Sequence, residues 1–553
     1  MKADKQDVQS IGEYILYRLQ QHGVQHFFGV PGDYILGFYD LATRSAIQHI
    51  GTTREDTAAF AADGYARCHG LGCVVVTYGV GALNLVNPVA GAFAESSPVI
   101  VISGAPGVDE QQNDPLIHHK FGPFNFQKEI FERITCHTEV LTDPLIAFRQ
   151  VDRAIQKALQ HSQPVYLELP RDRIHTPGMP FTPDAGVLPQ SAEPGSDPQA
   201  LEEAVGETLA LLEQAQSPAI LAGVELHRAS IQHAAVDLVE KLNIPVASTL
   251  TGKSVVGERH PAYLGVYEGA MGSVVAKQTI ENADLALILG VRFNDVDLGI
   301  YTARLDPYRI VRASHDDVFI RHHRYQHVRL VDFITSLSAQ VTPRSRPVVA
   351  QSPGASAEDF PRAGRPISVE RMIGRINTLL TPELTVVCDV GDCLFAAIDL
   401  RVHKRNQFLA SAYYTSMGFA VPAALGVHCA SSQHRCLVLV GDGAFQMTGT
   451  ELSTLVRFGF NPVVIVLNNA GYSTERFILE GPFNDIMTWH FHELGRVFGP
   501  LQGYEIHNEQ EFDSALRSAL AETESASILN VHLRKDEASP AMRRLADHLS
   551  NKI

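Results

Sequence analysis

No stretch of this 553-residue chain approaches the ~18 uninterrupted apolar positions that a membrane-crossing helix needs, so no spanning segment and no membrane partner are expected. The opening MKADKQDVQS is charged where a secretory leader would carry an apolar core, and export is not expected either. Cysteine is scarce and unpatterned: seven residues, at 68, 73, 136, 388, 393, 429 and 436, with no CxxC pair among them. That excludes a disulfide framework and the usual zinc-ligand spacing, and a reducing cytoplasm fits best. Long basic runs are missing too. With a formal charge of -16, a nucleic-acid partner is not expected.

What is present is apolar bulk, 45% of 553 residues, more than one core holds, which implies two to four domains of α/β size. IGEYILYRLQQHG carries Ile11, Ile15, Leu16 and Leu19 at helical spacing and stops at Gly23, and VQHFFGV follows as a short buried strand. DTAAFAADGYARCHG reads as a second helix. GCVVVTYGVG, PVIVISGAP and PVYLELPRD read as strands running into turns. Strands alternating with helices predict a parallel sheet covered on both faces. Two aperiodic stretches rich in Pro and Gly, at about 174–197 and 346–366, read as linkers. Between them PAILAG, PVAST and LALILGV are strands, with IQHAAVDLVEKLN as a helix, so three α/β domains of comparable size result.

The most chemistry sits in CLVLVGDGAFQMTGTELSTLVRFGFNPVVIVLNNAGYSTE, residues 436–475. CLVLV is a strand ended by Gly441-Asp442-Gly443. The spacing predicts a helix opening on Thr448-Gly449-Thr450-Glu451 in a capping-box pattern, with Leu452, Leu455 and Val456 as its apolar stripe. Gly459 ends that helix, and Pro462 leads into VVIVL. In such a βαβ unit the parallel strands leave their C-terminal ends on one edge, so Asp442 and Asn469 reach one crevice. Open α/β sheets bind ligands at that edge, and an oxygen-rich turn beside a helix start suits a divalent cation holding a phosphate. One Asp, one Asn oxygen and a loop carbonyl would meet the sparse coordination of Mg2+. Taken singly, GDG is equally a plain turn and NN a strand-ending loop; the joint spacing is what favours a site.

GDG, a helix-sized interval and NN together resemble the magnesium-diphosphate signature of thiamin diphosphate enzymes. VPGDY at 30–34, REDTAAFAADGYAR at 54–67, VTYGVGALN at 76–84, PVYLELPRD at 164–172 and GFAVPAALG at 418–426 are similar to further blocks of that superfamily. The resemblance implies three doubly wound parallel-sheet α/β domains: pyrimidine-binding over 1–180, middle over 198–345 and diphosphate-binding over 365–553. Asp33 in the GDY turn, the pair His118-His119 and Glu475 after NN resemble the 2-keto acid decarboxylase branch. A second pair, His322-His323, reads as surface.

This resemblance implies thiamin diphosphate and Mg2+ as cofactors. It sets Glu55 against the aminopyrimidine ring, where a carboxylate favours the imino tautomer that takes the C2 proton; read by itself Glu55 is an ordinary acid at a helix start. Thr77 and the Gly79-Val80-Gly81 turn would line the same pocket. Met417 would lie under the two rings, where a methionine is otherwise core packing, and Thr415 would offer its carbonyl. Asp442, Asn469 and the Gly471 carbonyl are the implied metal ligands, with Gly391, Asp392, Gly443, Ala444 and Tyr472 also lining the cofactor. Asp33, His118, His119 and Glu475 would line the substrate side. The reaction needs protons delivered twice, which calls for acids and bases of displaced pKa in a partly dry pocket. Solvated loop residues would account for His118 alone but not for all four.

In CDVGDCLFAA, Leu394 stands where pyruvate-specialised members tend to carry tryptophan, and the stretch looks more like phenylpyruvate and indolepyruvate decarboxylases. Together with Ile478 it implies a roomy pocket. Arg476, beside Glu475, departs from the pattern. The expected activity is non-oxidative decarboxylation of an aromatic, branched or long-chain 2-keto acid to the aldehyde and CO2, by a homodimer at least and a homotetramer in full. Alternatives are a pyruvate decarboxylase, or a carboligase of acetolactate-synthase type, which generally lacks the His pair and the Glu and often binds flavin. A non-catalytic regulatory homologue would not need the intact Glu55 and GDG-NN set.

Overall fold

The computed structural model describes residues 10–179, 195–343, 359–431 and 435–550. Most of both expected linkers falls on 180–194 and 344–358, outside the described residues. The chain forms two compact units, one of residues 1–191, 414–436 and 446–462, the other of residues 192–413, 437–445 and 463–553.

In the first unit β1 (His26–Gly29), β2 (Gln48–Gly51), β3 (Gly72–Val76), β4 (Val99–Ala105), β5 (His137–Val140) and β6 (Val165–Pro170) form one sheet in the order β2-β1-β3-β4-β6-β5. All its pairings are parallel. Strands buried on both faces need no polar alternation, which is why β3 and β4 read as unbroken apolar runs. The helix Ile11–Gln21 is closed at its start by Ser10 and Glu13, each side chain bonded to the other's backbone N–H. Its buried stripe is the Ile11, Ile15, Leu16 and Leu19 set. Helices Glu55–His69 and Ala420–Ala430 cross within this unit at backbone contact. A Cβ on Gly426 would stand 1.9 Å from the Ala61 carbonyl oxygen, so only glycine permits the crossing.

The second unit holds two sheets. The first comprises β7 (Pro218–Ala222), β8 (Val246–Ser248), β9 (Tyr263–Val266), β10 (Leu285–Leu289), β11 (Ile310–Ser314), β12 (Asp317–Ile320) and β13 (His323–Gln326), in the order β13-β12-β11-β10-β7-β8-β9. Here a wholly parallel sheet is not what forms: β12 pairs antiparallel with β11 and β13 with β12. The connections explain it. Two residues, His315-Asp316 and then Arg321-His322, join these strands, and a parallel return needs a crossover of a dozen or more. His322 and His323 are exposed on this hairpin, as surface residues should be.

The other sheet runs β15-β14-β16-β17-β19-β18, built from β14 (Leu384–Cys388), β15 (Phe408–Ala410), β16 (Arg435–Gly441), β17 (Val463–Asn468), β18 (Leu501–Ile506) and β19 (Ala526–His532). β16, β17, β19 and β18 are parallel to their neighbours, as are β14 and β15. The two sheets of this unit are linked by a buried cation. Lys253 Nζ donates to both oxygens of Glu258 and to the Leu400 carbonyl, each at 2.7 Å, with both side chains 1% exposed. Lys253→Met should lower stability by about 3–5 kcal/mol because it strands the Glu258 carboxylate in the interior. Thermal unfolding reads the loss, and a double Lys253→Met, Glu258→Gln variant should recover most of it.

The expected capping box at Thr448 is absent. The helix begins earlier, at Asp442–Thr448, and a short 3-10 turn, Gly449–Glu451, leads into Leu452–Arg457. Thr448 donates its hydroxyl to the Gly418 carbonyl at 2.7 Å, and Glu451 accepts from the Thr53 backbone and hydroxyl. Partners distant in sequence take both side chains away from the local cap.

Candidate functional site

Candidate residues gather at the C-terminal strand ends in each unit. In the first unit Asp33 follows β1, Thr77 follows β3, His118-His119 follow β4 and Arg171 follows β6, and parallel pairing brings these loops to one edge. His118 Nε2 lies 2.7 Å from Asp33 Oδ2, and the Tyr34 ring stacks on His118 at 4.9 Å. Tyr34 donates its hydroxyl to the His118 carbonyl at 3.2 Å. The Arg171 guanidinium is shared between Glu110, at 2.9 Å, and Asp33, at 3.8 Å. Asp33, His118 and His119 converge so closely that one atom from each lies within 4.8 Å of the others.

His119 adopts φ +66, a strained conformation for a residue with a side chain. Its Nδ1 is buried with no hydrogen-bond partner among the described residues, as is Thr77 Oγ1. The Gly79 turn, φ +65, passes so close that a Cβ there would sit 2.4 Å from the His119 carbonyl oxygen. Gln127 holds that turn by accepting from Gly79 N at 2.7 Å, and is itself anchored on Ser103 and Tyr166. Glu55 is the first residue of the helix Glu55–His69, where the backbone N–H groups favour a negative charge. Asn84 donates to its carboxylate at 2.8 Å, and a Cβ on Gly81 would stand 3.6 Å from Oε1. Thr415 is exposed at φ +53, and Met417 is half-buried two residues on.

The second unit carries the other group. Asp442 leaves β16 and Asn469 leaves β17, whose register pairs Gly441 with Leu467. Asp442 Oδ1 accepts from Gly443 N at 2.8 Å and Oδ2 from Gly471 N at 3.3 Å. Burial pushes this carboxyl up to about 6, against the pull of the backbone donors at Gly443, Ala470, Gly471 and Asn469. Between Asn469 and Gly471, Ala470 is held at φ +59. Ala444 is buried beside Asp442, and Tyr472 N bonds the Asn484 carbonyl at 2.9 Å. Glu475 is exposed on the helix Ser473–Ile478, and Ile478 at its end is 81% exposed.

One expected residue, Asp392, and the unexpected Arg476 are already engaged. The Asp392 carboxylate, pushed up to about 6 by burial, accepts from Ser539 N at 2.9 Å, so its role at this point is to hold the chain start of the last helix. Arg476 gives its guanidinium to Glu480 and Asp485, which braces the loop after Tyr472. Gly391, φ +90, opens the helix Asp392–Ala396, and Leu394 within it is 1% exposed.

Tyr34, Asn84, Glu110, Gln127 and Arg171 are not singled out by the sequence. Tyr34 and Arg171 stand inside the blocks VPGDY and PVYLELPRD, but nothing local tells which neighbours they meet.

Sequence comparisons agree on one kind of protein. Residues 9–130 match the thiamine pyrophosphate enzyme N-terminal TPP binding domain, 205–341 its central domain and 389–531 its C-terminal TPP binding domain. An indole-3-pyruvate decarboxylase of Azospirillum brasilense is 33% identical over 542 residues, 97% of each chain. An alpha-keto-acid decarboxylase of Mycolicibacterium paratuberculosis is 32% identical over 96% of this chain and 94% of its own. Pyruvate decarboxylase 4 of Arabidopsis thaliana is 31% identical over 98% and 92%.

Proposed function

From this chain's membership of the thiamine pyrophosphate (thiamin diphosphate) enzyme family, within its 2-keto acid decarboxylases, we propose that it decarboxylates an aromatic, branched or long-chain 2-keto acid to the aldehyde and CO2. The observation that carries this over a carboligase is the Asp33–His118 contact at 2.7 Å with His119 beside it, a proton-transfer group where a substrate carbonyl would lie.

The residues present suit the cofactor. Asp442, Asn469 and the Gly471 carbonyl are hard oxygen donors of the kind Mg2+ takes alongside a phosphate. A Cβ on Gly391 or Gly441 would enter open space, which leaves the strand ends free for a phosphate-sized group. Buried Thr77 Oγ1 and His119 Nδ1 still await partners. When bound, thiamin diphosphate supplies the carbon nucleophile and the electron sink for decarboxylation.

The chain's own residues supply binding and proton control. Asp442 and Asn469 hold the ion, and Gly391, Asp392, Gly443, Ala444, Gly471 and Tyr472 line the diphosphate side. Glu55 presents a carboxylate to the aminopyrimidine, steadied by Asn84, while Thr77, Met417 and the Thr415 carbonyl complete that pocket. His118 keeps its Nε2 proton against Asp33, which fixes the tautomer, and the Tyr34 ring fixes the plane. His119 offers Nδ1 to a substrate oxygen, and Glu475 is the fourth group able to move a proton. The domains are proposed at 1–180, 198–345 and 365–553.

The assembly is a homodimer at least, in full a homotetramer, resident in the cytoplasm. The run of exposed Phe477, Ile478, Leu479, Phe483 and Met487 supports association, and the seven free cysteines support a reducing compartment.

Substrate choice rests on pocket volume. A leucine at 394 in place of an indole frees space, and apolar contact contributes roughly 0.8 kcal/mol per buried CH2. Phenylpyruvate or indolepyruvate should therefore exceed pyruvate in kcat/KM by at least about tenfold, measured with added thiamin diphosphate and Mg2+. A preference for pyruvate would overturn the substrate assignment. Absence of cofactor-dependent CO2 release from every 2-keto acid tried would overturn the activity.

A further inference from the structure

The Gly79 turn touches two of the candidate proton-moving groups. On one side a Cβ at Gly79 would stand 2.4 Å from the His119 carbonyl oxygen, so the turn props His119 in its φ +66 conformation. A strained conformation of that kind persists only where the surroundings over-determine it. On the other side Gly79 opens the short helix Val80–Asn84, whose last residue donates to the Glu55 carboxylate at 2.8 Å. Any displacement of Gly79 therefore reaches both His119 and Glu55.

What fixes Gly79 is the side chain of Gln127, fully buried on the helix Phe126–Phe131. The Gly79 N–H can only donate, so the atom 2.7 Å from it is the Gln127 amide oxygen, and the amide nitrogen is left to face the Tyr166 hydroxyl at 2.6 Å and Ser103 Oγ at 2.9 Å. Both hydroxyls must accept there, and each has another place for its own proton. Tyr166 donates to Glu168 Oε2 at 2.7 Å and Ser103 to the Gly104 carbonyl at 2.9 Å. Tyr166 and Glu168 alternate on β6 while Ser103 pairs with Glu168 from β4, so the three side chains leave one face of the sheet. The Phe131 ring, one turn beyond Gln127, stacks on Tyr166 at 4.5 Å and fixes its plane. Polarity then runs one way, from Gly79 through Gln127 and Tyr166 to Glu168, and each bond strengthens the next. A turn that only reversed the chain would not need four buried polar side chains to hold one N–H.

We propose that Gln127 is a positioning residue of the reaction: locked by Ser103, Tyr166 and Glu168, it holds Gly79 where His119 offers Nδ1 to the substrate and Asn84 steadies Glu55. The inference rests on the roles proposed above for His119 and Glu55. Gln127 itself touches neither substrate nor cofactor. It acts through the backbone of the turn, and its loss misplaces two proton-moving groups at once while leaving the residues that hold the diphosphate and its ion untouched.

Gln127→Met keeps the volume and removes both ends of the amide. In a crystal structure of the full-length variant Gly79 should withdraw from the His119 carbonyl, and the His119 φ should turn negative. With thiamin diphosphate and Mg2+ bound, exchange of the cofactor C2 proton and kcat should both fall by roughly 10- to 100-fold, the effect of misplacing a group by about 1 Å, while cofactor Kd changes by less than about threefold. Glu168→Gln, whose amide oxygen still accepts from Tyr166, should keep the wild-type geometry and exchange. Gln150→Met removes another buried glutamine of the same unit, bonded to Glu139 and the Val140 carbonyl, and controls for lost stability alone. If Gln127→Met does not fold, Tyr166→Phe, which takes the nearer acceptor from the Gln127 amide, carries the same expectation. An unmoved Gly79 with unchanged exchange overturns the proposal, as does an equal loss in Gln150→Met. If wild type releases no CO2 from any 2-keto acid, the decarboxylase reading falls, and the His119 φ and the C2 exchange still decide the role of Gln127.

Discussion

Glu55→Gln is expected to keep thiamin diphosphate bound and to lose turnover by roughly 10²–10⁴-fold, the range that a positioned acid or base supplies. The substitution is nearly isosteric, and the amide oxygen can still accept from Asn84, whose Nδ2 donates to the present carboxylate at 2.8 Å. What disappears is the charge at the start of the helix Glu55–His69 and the ability to hold a proton at the aminopyrimidine. Binding is read by calorimetry, and exchange of the cofactor C2 proton by NMR. Tight binding with exchange slowed in step with turnover is the expected pair. Unchanged exchange would remove Glu55 from the proposed role whatever happened to activity.

Asp442→Asn should separate stability from metal loading. The carboxyl is buried and pushed up to about 6 from 3.8, so the folded protein holds this proton more tightly than the unfolded chain does. Stability from that proton is present below pH 3.8 and is lost as pH rises through about 6. The metal-free wild type therefore carries at neutral pH a cost on the order of 2–3 kcal/mol, from about 1.4 kcal/mol per pKa unit. Asn removes it, and its single amide oxygen keeps the bond from Gly443 N, while the weaker bond from Gly471 N, on the other carboxylate oxygen, is given up at about 1 kcal/mol, less than the charge cost removed. Metal-free Asp442→Asn should then unfold at higher temperature than wild type at pH 7.5, with the gap closing toward pH 4. Addition of Mg2+ and thiamin diphosphate should stabilise wild type strongly and the variant hardly at all. In wild type, apparent Mg2+ affinity should fall about tenfold per pH unit below the titration, since one proton must leave for each ion bound. A variant that still gained full thermal stabilisation from the cofactor would exclude Asp442 as its metal anchor.

Much of the scaffold is legible in the amino-acid sequence. CLVLV and VVIVL form β16 and β17 because parallel strands covered on both faces are selected for unbroken apolar runs. The 27 positions between Asp442 and Asn469 suffice for one crossover, and the parallel register then leaves both at one sheet edge. The hairpin β11-β12-β13 is not legible there, since short strands with mixed polar faces carry little periodicity. Thr448 and Glu451 match a capping box in sequence, yet Gly418 and Thr53 claim them in the fold. A pattern confined to four residues cannot register competitors 30 and 398 positions away.

What the chain's sequence determined on its own is the order of elements, the three sheets' place along it and the chemical types standing at strand ends, because these follow from local periodicity and spacing. Which of those groups are free to act was decided only by tertiary structure. Asp392 and Asp442 are both buried acids beside glycine that accept backbone N–H groups, but one ties down Ser539 at the start of the last helix and the other gathers Gly443 and Gly471 at the strand ends. Arg476 follows an expected acid, yet Glu480 and Asp485 hold its charge. His118 is a histidine in a loop until Asp33, Tyr34 and Arg171 close around it from two other strand ends. Desolvation and hydrogen-bond partnership are sums over every segment that packs against a group, and those segments are neighbours in space rather than along the chain.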